Sequence, residues 1–292
     1  MKSGFVSIIG RPNSGKSTLL NFLVGEKVSI VTDKPQTTRH VVRGIVTRPD
    51  GQIVFLDTPG IHKPIHRMNE SMMKSVREAM ADVDLILLMV DSSAAFGRGD
   101  EFTLELLKPV TRKKILLLNK IDLIEKKNLL PLIDRYAKAG NFEEIIPISA
   151  LSGENIENLV AQILKRLPEG PMFYPADQIS DQQERAIASE MIREKLILLT
   201  EEEMPYSTAV VIDRFDEDEK LHRIYASIFV ERDSQKAIII GKAGQKLKQI
   251  GTDARKELET FFGRKIFIEL HVKVRKHWRD DEEMLRSLGL GE

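Results

Sequence analysis

The sequence predicts an α/β chain in two parts: a doubly wound, mostly parallel six-stranded sheet over residues 1–170, then a smaller α+β unit over residues 181–292. Three observations carry that prediction. Short apolar runs alternate with longer helical patterns through the first 170 residues. The alternation stops at Pro168-Glu169-Gly170-Pro171, where two prolines around a glycine cannot continue a helix. Beyond it the elements come in a different order.

The strands of the first part are expected at Phe5–Ile9, Val41–Val46, Ile53–Leu56, Leu85–Val90, Ile115–Leu118 and Ile145–Ile148. Most are unbroken Val/Ile/Leu runs, the signature of strands covered by helices on both faces. The second and third are joined by Pro49-Asp50-Gly51, a turn sequence that marks one antiparallel hairpin. Helical patterns fall at 16–25, 68–82, 100–108, 126–139 and 155–166. Residues 171–180, with Pro171 and Pro175, read as a linker. After it come a helix over Gln182–Thr200, alternating stretches at Ser207–Arg214 and Leu221–Glu231, an apolar run Ala237–Ile240, a helix over 245–262 and a strand at Lys265–Val274. That order is α-β-β-α-α-β. Within the long helix, Leu247, Ile250, Ala254, Leu258 and Phe261 recur every three or four residues and form its core stripe.

Composition narrows the function classes. The chain has 292 residues, 44 Lys+Arg against 44 Asp+Glu and no cysteine, which excludes disulfides, thiolate metal sites and thiol nucleophiles. MKSGFVSIIG lacks the apolar core of a signal peptide, and no apolar run approaches the length of a bilayer span. A cytosolic protein is expected. There is no HExxH zinc motif and no G-x-S-x-G nucleophile elbow. Arg98-Gly99-Asp100 is taken as a chance match to an integrin tripeptide.

Four short motifs, each after an expected strand, point to guanine-nucleotide chemistry. GRPNSGKST at residues 10–18 fits GxxxxGK[ST] between a strand and a helix. In such a P-loop, backbone N–H groups from Asn13 to Thr18, Ser14 and Gly15 included, curl around phosphate oxygens at the positive end of a helix. Lys16 would reach the outer phosphates and the Ser17 hydroxyl would bind Mg²⁺. In Asp57-Thr58-Pro59-Gly60 the carboxylate is a second Mg²⁺ holder and the Gly60 N–H meets the γ-phosphate. In Asn119-Lys120-Ile121-Asp122 the Asp122 carboxylate pairs with the two donors of a guanine edge, Asn119 ties to the phosphate loop, and Lys120 lies over the base. Ser149-Ala150-Leu151 completes the pocket with a backbone N–H for the guanine oxygen. A threonine of Pro35-Gln36-Thr37-Thr38-Arg39 would close the Mg²⁺ shell only with γ-phosphate present; Thr38 is preferred, with Thr37 left open. The residue after Gly60 is Ile61, which cannot orient water, so hydrolysis of GTP to GDP should be slow. The Asn13 amide is a candidate ligand for K⁺ supplying charge beside the phosphates.

In the second part, Gly241-Lys242-Ala243-Gly244 places a G-x-x-G loop between two helices, as in KH domains, where backbone approaches a nucleic-acid chain and a lysine meets phosphate. From Arg232 to Arg279 thirteen bases face five acids, a balance of +8, whereas Glu201–Glu231 carries nine acids and three bases. RNA is therefore the expected ligand here, with Lys246 and Lys248 beside the loop, while Glu201-Glu202-Glu203 is read as a solvated run. Trp278, the only tryptophan, has two open roles: stacking on an unpaired base, or covering the domain edge.

GRPNSGKST, QTTRH, DTPG, NKID, SAL, SEMIREKL before PYS, and IIIGKAGQKLKQIG followed by ELHVKV together resemble the Era-like family of bacterial GTPases. The resemblance implies a P-loop GTPase fold joined to a type II KH domain, with GTP/GDP and Mg²⁺ as ligands. It further implies binding of the 3′ end of 16S rRNA and help in maturing the small (30S) ribosomal subunit. An aliphatic residue at the Ile61 position is a family trait; many members carry valine where this chain has Ser14. A monomer is expected, and peripheral attachment to the inner face of the cell membrane stays open.

Overall fold

The computed structural model describes residues 1–200, 204–218 and 220–291. The acidic run Glu201–Glu203 lies outside them. The chain forms two compact units: Met1–Pro64 with Met72–Asp181, and Gln182–Glu292 with Ile65–Ser71.

The first unit contains β1 (Lys2–Gly10), α1 (Lys16–Val24), β2 (Val42–Arg48), β3 (Gly51–Asp57), α2 (Arg67–Ala81) from Met72 onward, β4 (Leu85–Asp91), α3 (Arg98–Leu107), β5 (Lys113–Asn119), α4 (Leu129–Ala139), β6 (Glu144–Pro147) and α5 (Ile156–Arg166). The strands form one sheet in the order β2-β3-β1-β4-β5-β6. Every neighbour is parallel except the β2/β3 hairpin, in which Arg48 pairs with Gly51 across the expected turn. The unbroken apolar runs are explained by burial on both faces. Leu85, Leu87 and Met89 of β4 join α1 and α5 in one core, while Ile86, Leu88 and Val90 join α2, α3 and α4 in another. Successive strand side chains point to opposite faces, so a sheet clad on both sides needs apolar residues at every position. The helix expected from 126 begins as a short 3-10 turn, Lys126–Asn128, and becomes α-helical at Leu129. Pro131 then sits in the first turn, where its missing N–H costs nothing.

The stretch that reads as a linker runs along the first unit. The fully buried Gln52 accepts N–H bonds from Phe173 (2.8 Å) and Tyr174 (3.1 Å) and donates to the Tyr174 carbonyl at 2.9 Å. Further on, Ile45 N–H reaches the Ile179 carbonyl at 2.8 Å, and Arg43 pairs with Asp181 at 2.6 Å. These bonds cover the outer edge of β2, which a bare edge strand would leave open to pairing with other chains.

The second unit contains α6 (Glu184–Leu198), α7 (Met204–Ser207), β7 (Ala209–Asp216), β8 (Leu221–Val230), α8 (Asp233–Ile240), α9 (Gln245–Phe262), β9 (Lys265–Val274) and α10 (Glu282–Ser287). Its sheet runs β7-β8-β9, antiparallel then parallel. Ile250, Ala254 and Leu258 of α9 and Ala188, Ile192 and Leu196 of α6 are fully buried against it.

Candidate functional site

Three polar side chains from distant parts of the first unit meet at the start of α1. Ser17 Oγ donates to Asp57 Oδ2 at 2.7 Å and lies 2.9 Å from Thr38 Oγ1. Thr37 points elsewhere, its hydroxyl 2.6 Å from the Lys34 carbonyl and 2.6 Å from Thr32 Oγ1. Of the two threonines, Thr38 is the one whose hydroxyl lies beside Ser17. Asp57 is wholly buried, and burial raises its pKa against the opposing pull of Lys16 and the hydroxyls of Ser17 and Ser29. Its second oxygen, Oδ1, is buried without a partner. A buried carboxylate oxygen left unmatched beside two hydroxyls is the hard, oxygen-only donor set that suits Mg²⁺.

The phosphate loop is held from several directions. Gly15 has φ 99°, and a Cβ there would stand 2.3 Å from Asn119 Nδ2, so both the conformation and the close approach require glycine. Asn119 Nδ2 donates to the Ser14 carbonyl at 2.8 Å, and its Oδ1 accepts from Ala150 N–H at 2.9 Å. One buried amide thus joins the loop after β1 to the loops after β5 and β6. Lys120 is pinned by Asp91 at 2.6 Å, and Asp122 faces solvent at the same rim. Lys16 is buried with its ammonium 3.1 Å from the Arg11 carbonyl, and burial pulls its pKa down to about 8 against the attraction of Asp57. Phosphate oxygens beside it would hold the ammonium in its charged form, so the pocket suits an anion.

Asn13 has a left-handed backbone (φ 62°), and its amide donates to the Asp33 carbonyl at 2.6 Å. It therefore bridges the phosphate loop to the segment that delivers Thr38. Ile61 is buried, and the His62 ring Nδ1 rests 2.7 Å from the Gly60 carbonyl. A cavity lined by Pro12, Asn13, Gly15, Lys16, Thr32 and Lys120 opens between these loops.

Sequence reasoning passed over two supports. Arg11 pairs at 2.8 Å with the buried Asp100, a residue of the Arg98-Gly99-Asp100 tripeptide, and Gly99 leaves room for the guanidinium. Asn21 accepts the N–H groups of Val28 and Ser29, which places the Ser29 hydroxyl 3.0 Å from Asp57. No local signal marks either pairing.

In the second unit, Gly241 (φ 70°), Ala243 (φ 50°) and Gly244 (φ 76°) turn the chain sharply between α8 and α9. Lys242 and Lys248 are exposed and Lys246 half-buried, and among the described residues none of the three forms an ion pair. The basic surface is smaller than the charge count implies. Arg275 pairs with Asp281 and Glu283, Arg279 pairs with Glu231, and Lys273 lies 3.9 Å from Asp213. The stacking role of Trp278 is overturned. Its ring is fully buried, with Nε1 donating to the Ser207 carbonyl at 3.0 Å, so it covers the domain edge. Trp278→Ala should cost about 3–5 kcal/mol of stability. Thermal unfolding checks this, and the salt dependence of RNA binding by the folded variant should not move.

The chain matches the family described as 50S ribosome-binding GTPase over residues 5–120 and the KH domain family over residues 203–279. It is 50% identical over 290 residues to the GTPase Era of Staphylococcus haemolyticus, covering 99% of this chain and 97% of that one. A solved structure of Era with MgGDPNP and nucleotides 1506–1542 of 16S ribosomal RNA superposes with a TM-score of 0.96 at 44% identity, over 100% of both chains. A single-residue variant of Aquifex aeolicus Era bound to GDP·AlF4⁻ gives 0.95, also at 44% identity and 100% of both.

Proposed function

The chain belongs to the Era family of GTPases, and from that membership we propose that it is a GTP-dependent switch that binds the 3′ end of 16S rRNA and assists assembly of the 30S subunit. It is a P-loop GTPase, with GTP or GDP and Mg²⁺ as its ligands, joined to a KH domain. The observation that carries the proposal is the full-length likeness to a relative holding both a GTP analogue and the 16S fragment. That likeness spans the whole chain, whereas the match to the 50S ribosome-binding GTPase family spans residues 5–120 only.

Ser17, Thr38 and Asp57 would hold Mg²⁺ between them, and such an ion would supply positive charge to the phosphate oxygens. Lys16 supplies the matching positive charge from within the loop. The backbone of residues 13–18 positions the phosphates, and Gly60 N–H reports the γ-phosphate. Thr38 carries that report to its segment, because its hydroxyl and the Ser17 hydroxyl converge on one point. Ile61, buried and aliphatic, has no polar group to orient water, which favours a long-lived GTP state. Residues 181–292 form the RNA-reading part, through Gly241–Gly244, Lys246 and Lys248. Binding of labelled GTP with and without the 16S 3′ fragment tests the switch; if neither ligand changes the other's affinity, it fails.

Asn13 is the residue for a monovalent cation. GTP turnover in KCl should exceed that in NaCl about tenfold, and Asn13→Ala should erase the difference. Equal rates for the native chain would remove K⁺ from the mechanism. No helix among the described residues is long and apolar enough to cross a membrane. We place the protein in the cytoplasm as a monomer; peripheral membrane attachment is the alternative, which fractionation and sedimentation decide.

A further inference from the structure

Asp100 stands in the first turn of α3, and three parts of the first unit converge on its carboxylate. Gly97 N–H donates to Oδ2 at 2.9 Å, which caps α3. The hydroxyl of Tyr136, on α4, is hydrogen-bonded to the same side chain. Arg11 Nη1, from the loop after β1, donates to Oδ2 at 2.8 Å. The aspartate side chain is 6% exposed and the arginine 41%. A cap alone does not require this arrangement, since a neutral amide serves a helix start as well as a carboxylate does. A buried carboxylate needs a cation, and Arg11 is that cation.

Arg11 bears on the nucleotide through its backbone. Its carbonyl accepts from the Lys16 ammonium at 3.1 Å and is the only hydrogen-bond partner of that ammonium among the described residues. The direction of one carbonyl therefore sets where the buried lysine points. Pro12 follows, so this peptide plane has no N–H through which a neighbouring element could hold it. The Arg11 side chain, clasped at its far end by Asp100, supplies the missing hold. We propose that Asp100 is a positioning residue for GTP: through the Arg11 side chain it fixes the Arg11 carbonyl, and that carbonyl seats Lys16 against the phosphates. Asp100 itself touches no phosphate. The proposal rests on the role given to Lys16 above, and it gives the Arg98-Gly99-Asp100 stretch a place in nucleotide binding.

Gly99 allows a test that leaves Arg11, Lys16 and Asp100 all in place. A Cβ there would stand 2.6 Å from Arg11 Nε and 2.9 Å from Cζ, atoms at the movable end of a long side chain. Gly99→Ala therefore pushes the guanidinium off Asp100, while the cap remains and alanine favours the helix. The variant should melt no lower than the native chain, yet its affinity for labelled GTP with Mg²⁺ should fall about tenfold. Arg11→Met, which empties the clasp, should show the same fall, and adding Gly99→Ala to it should cost nothing more. In a Lys16→Ala chain, weak in GTP binding from the start, Gly99→Ala should leave the affinity where it is. Each double variant is read against its own parent, so a change in melting point does not blur the comparison. Native GTP affinity in Gly99→Ala is what a capping role alone predicts, and it overturns the proposal. A full tenfold loss in the Lys16→Ala chain overturns it too, because the clasp would then act on another part of the loop. If the native chain binds no GTP, the nucleotide reading itself falls, which is a different failure and visible before any variant is made.

Discussion

Replacing Asp122 with asparagine should abolish GTP recognition and create recognition of xanthosine triphosphate. A carboxylate offers acceptors only, and guanine presents two donors side by side, N1–H and the N2 amine. An asparagine amide would turn its own N–H towards the N2 amine, donor against donor, leaving both without an acceptor in the contact. Sites built to pair a polar edge reject the mismatched partner by about 10⁴-fold, so a loss of at least about 10³ in GTP affinity is expected. Xanthine carries an oxygen where guanine has the amine and restores a donor–acceptor match. The fold should not suffer, because Asp122 is exposed and the amide that ties the loops together is that of Asn119. Titration with labelled GTP and XTP checks the exchange. Retained GTP affinity in Asp122→Asn would mean that the base is read elsewhere in the pocket.

The parts of this site that were legible beforehand share one property: each is short in sequence and bounded by its own strand. GRPNSGKST, DTPG and NKID are loops at the ends of β1, β3 and β5, and the parallel sheet brings those ends to one edge without further information. The sequence favours Thr38 but leaves Thr37 open, because adjacent residues on an irregular segment differ only in which way the chain turns. Gln52 holds residues 121 and 122 positions away, and Arg11 holds Asp100 at 89. No periodicity records such pairs. Trp278 misleads for a related reason. Its neighbours Arg275 and Arg279 read as a cationic platform, yet their partners Asp281 and Glu283 follow just after that stretch and Glu231 lies at the end of β8, 48 residues before Arg279. Net charge along a sequence counts cations that the fold has already neutralised, and only the remainder can attract a polyanion.

The same distinction decides where RNA binding is most vulnerable. Lys242 is exposed and unpaired among the described residues, at the tip of a turn closed by two glycines with positive φ. Changing Lys242 and Ala243 together to aspartate removes one positive charge and adds two negative ones where the backbone would meet phosphate. The fold should tolerate it. Ala243 already sits at φ 50°, ψ 30°, a left-handed conformation that aspartate adopts more readily than alanine, and Gly241 and Gly244 are untouched. Stability should therefore hold or rise slightly while affinity for the 16S 3′ fragment falls at least about 100-fold at moderate salt. Part of the loss is electrostatic and should shrink as salt is raised, since repulsion between exposed charges is screened over about 10 Å at 0.1 M. GTP binding and basal hydrolysis should stay as in the native chain, because every group assigned to the nucleotide comes from residues before 152. Unaltered RNA affinity in this double variant would move the interface off the loop. A parallel loss of GTP binding would instead show that the substitution had damaged the chain as a whole.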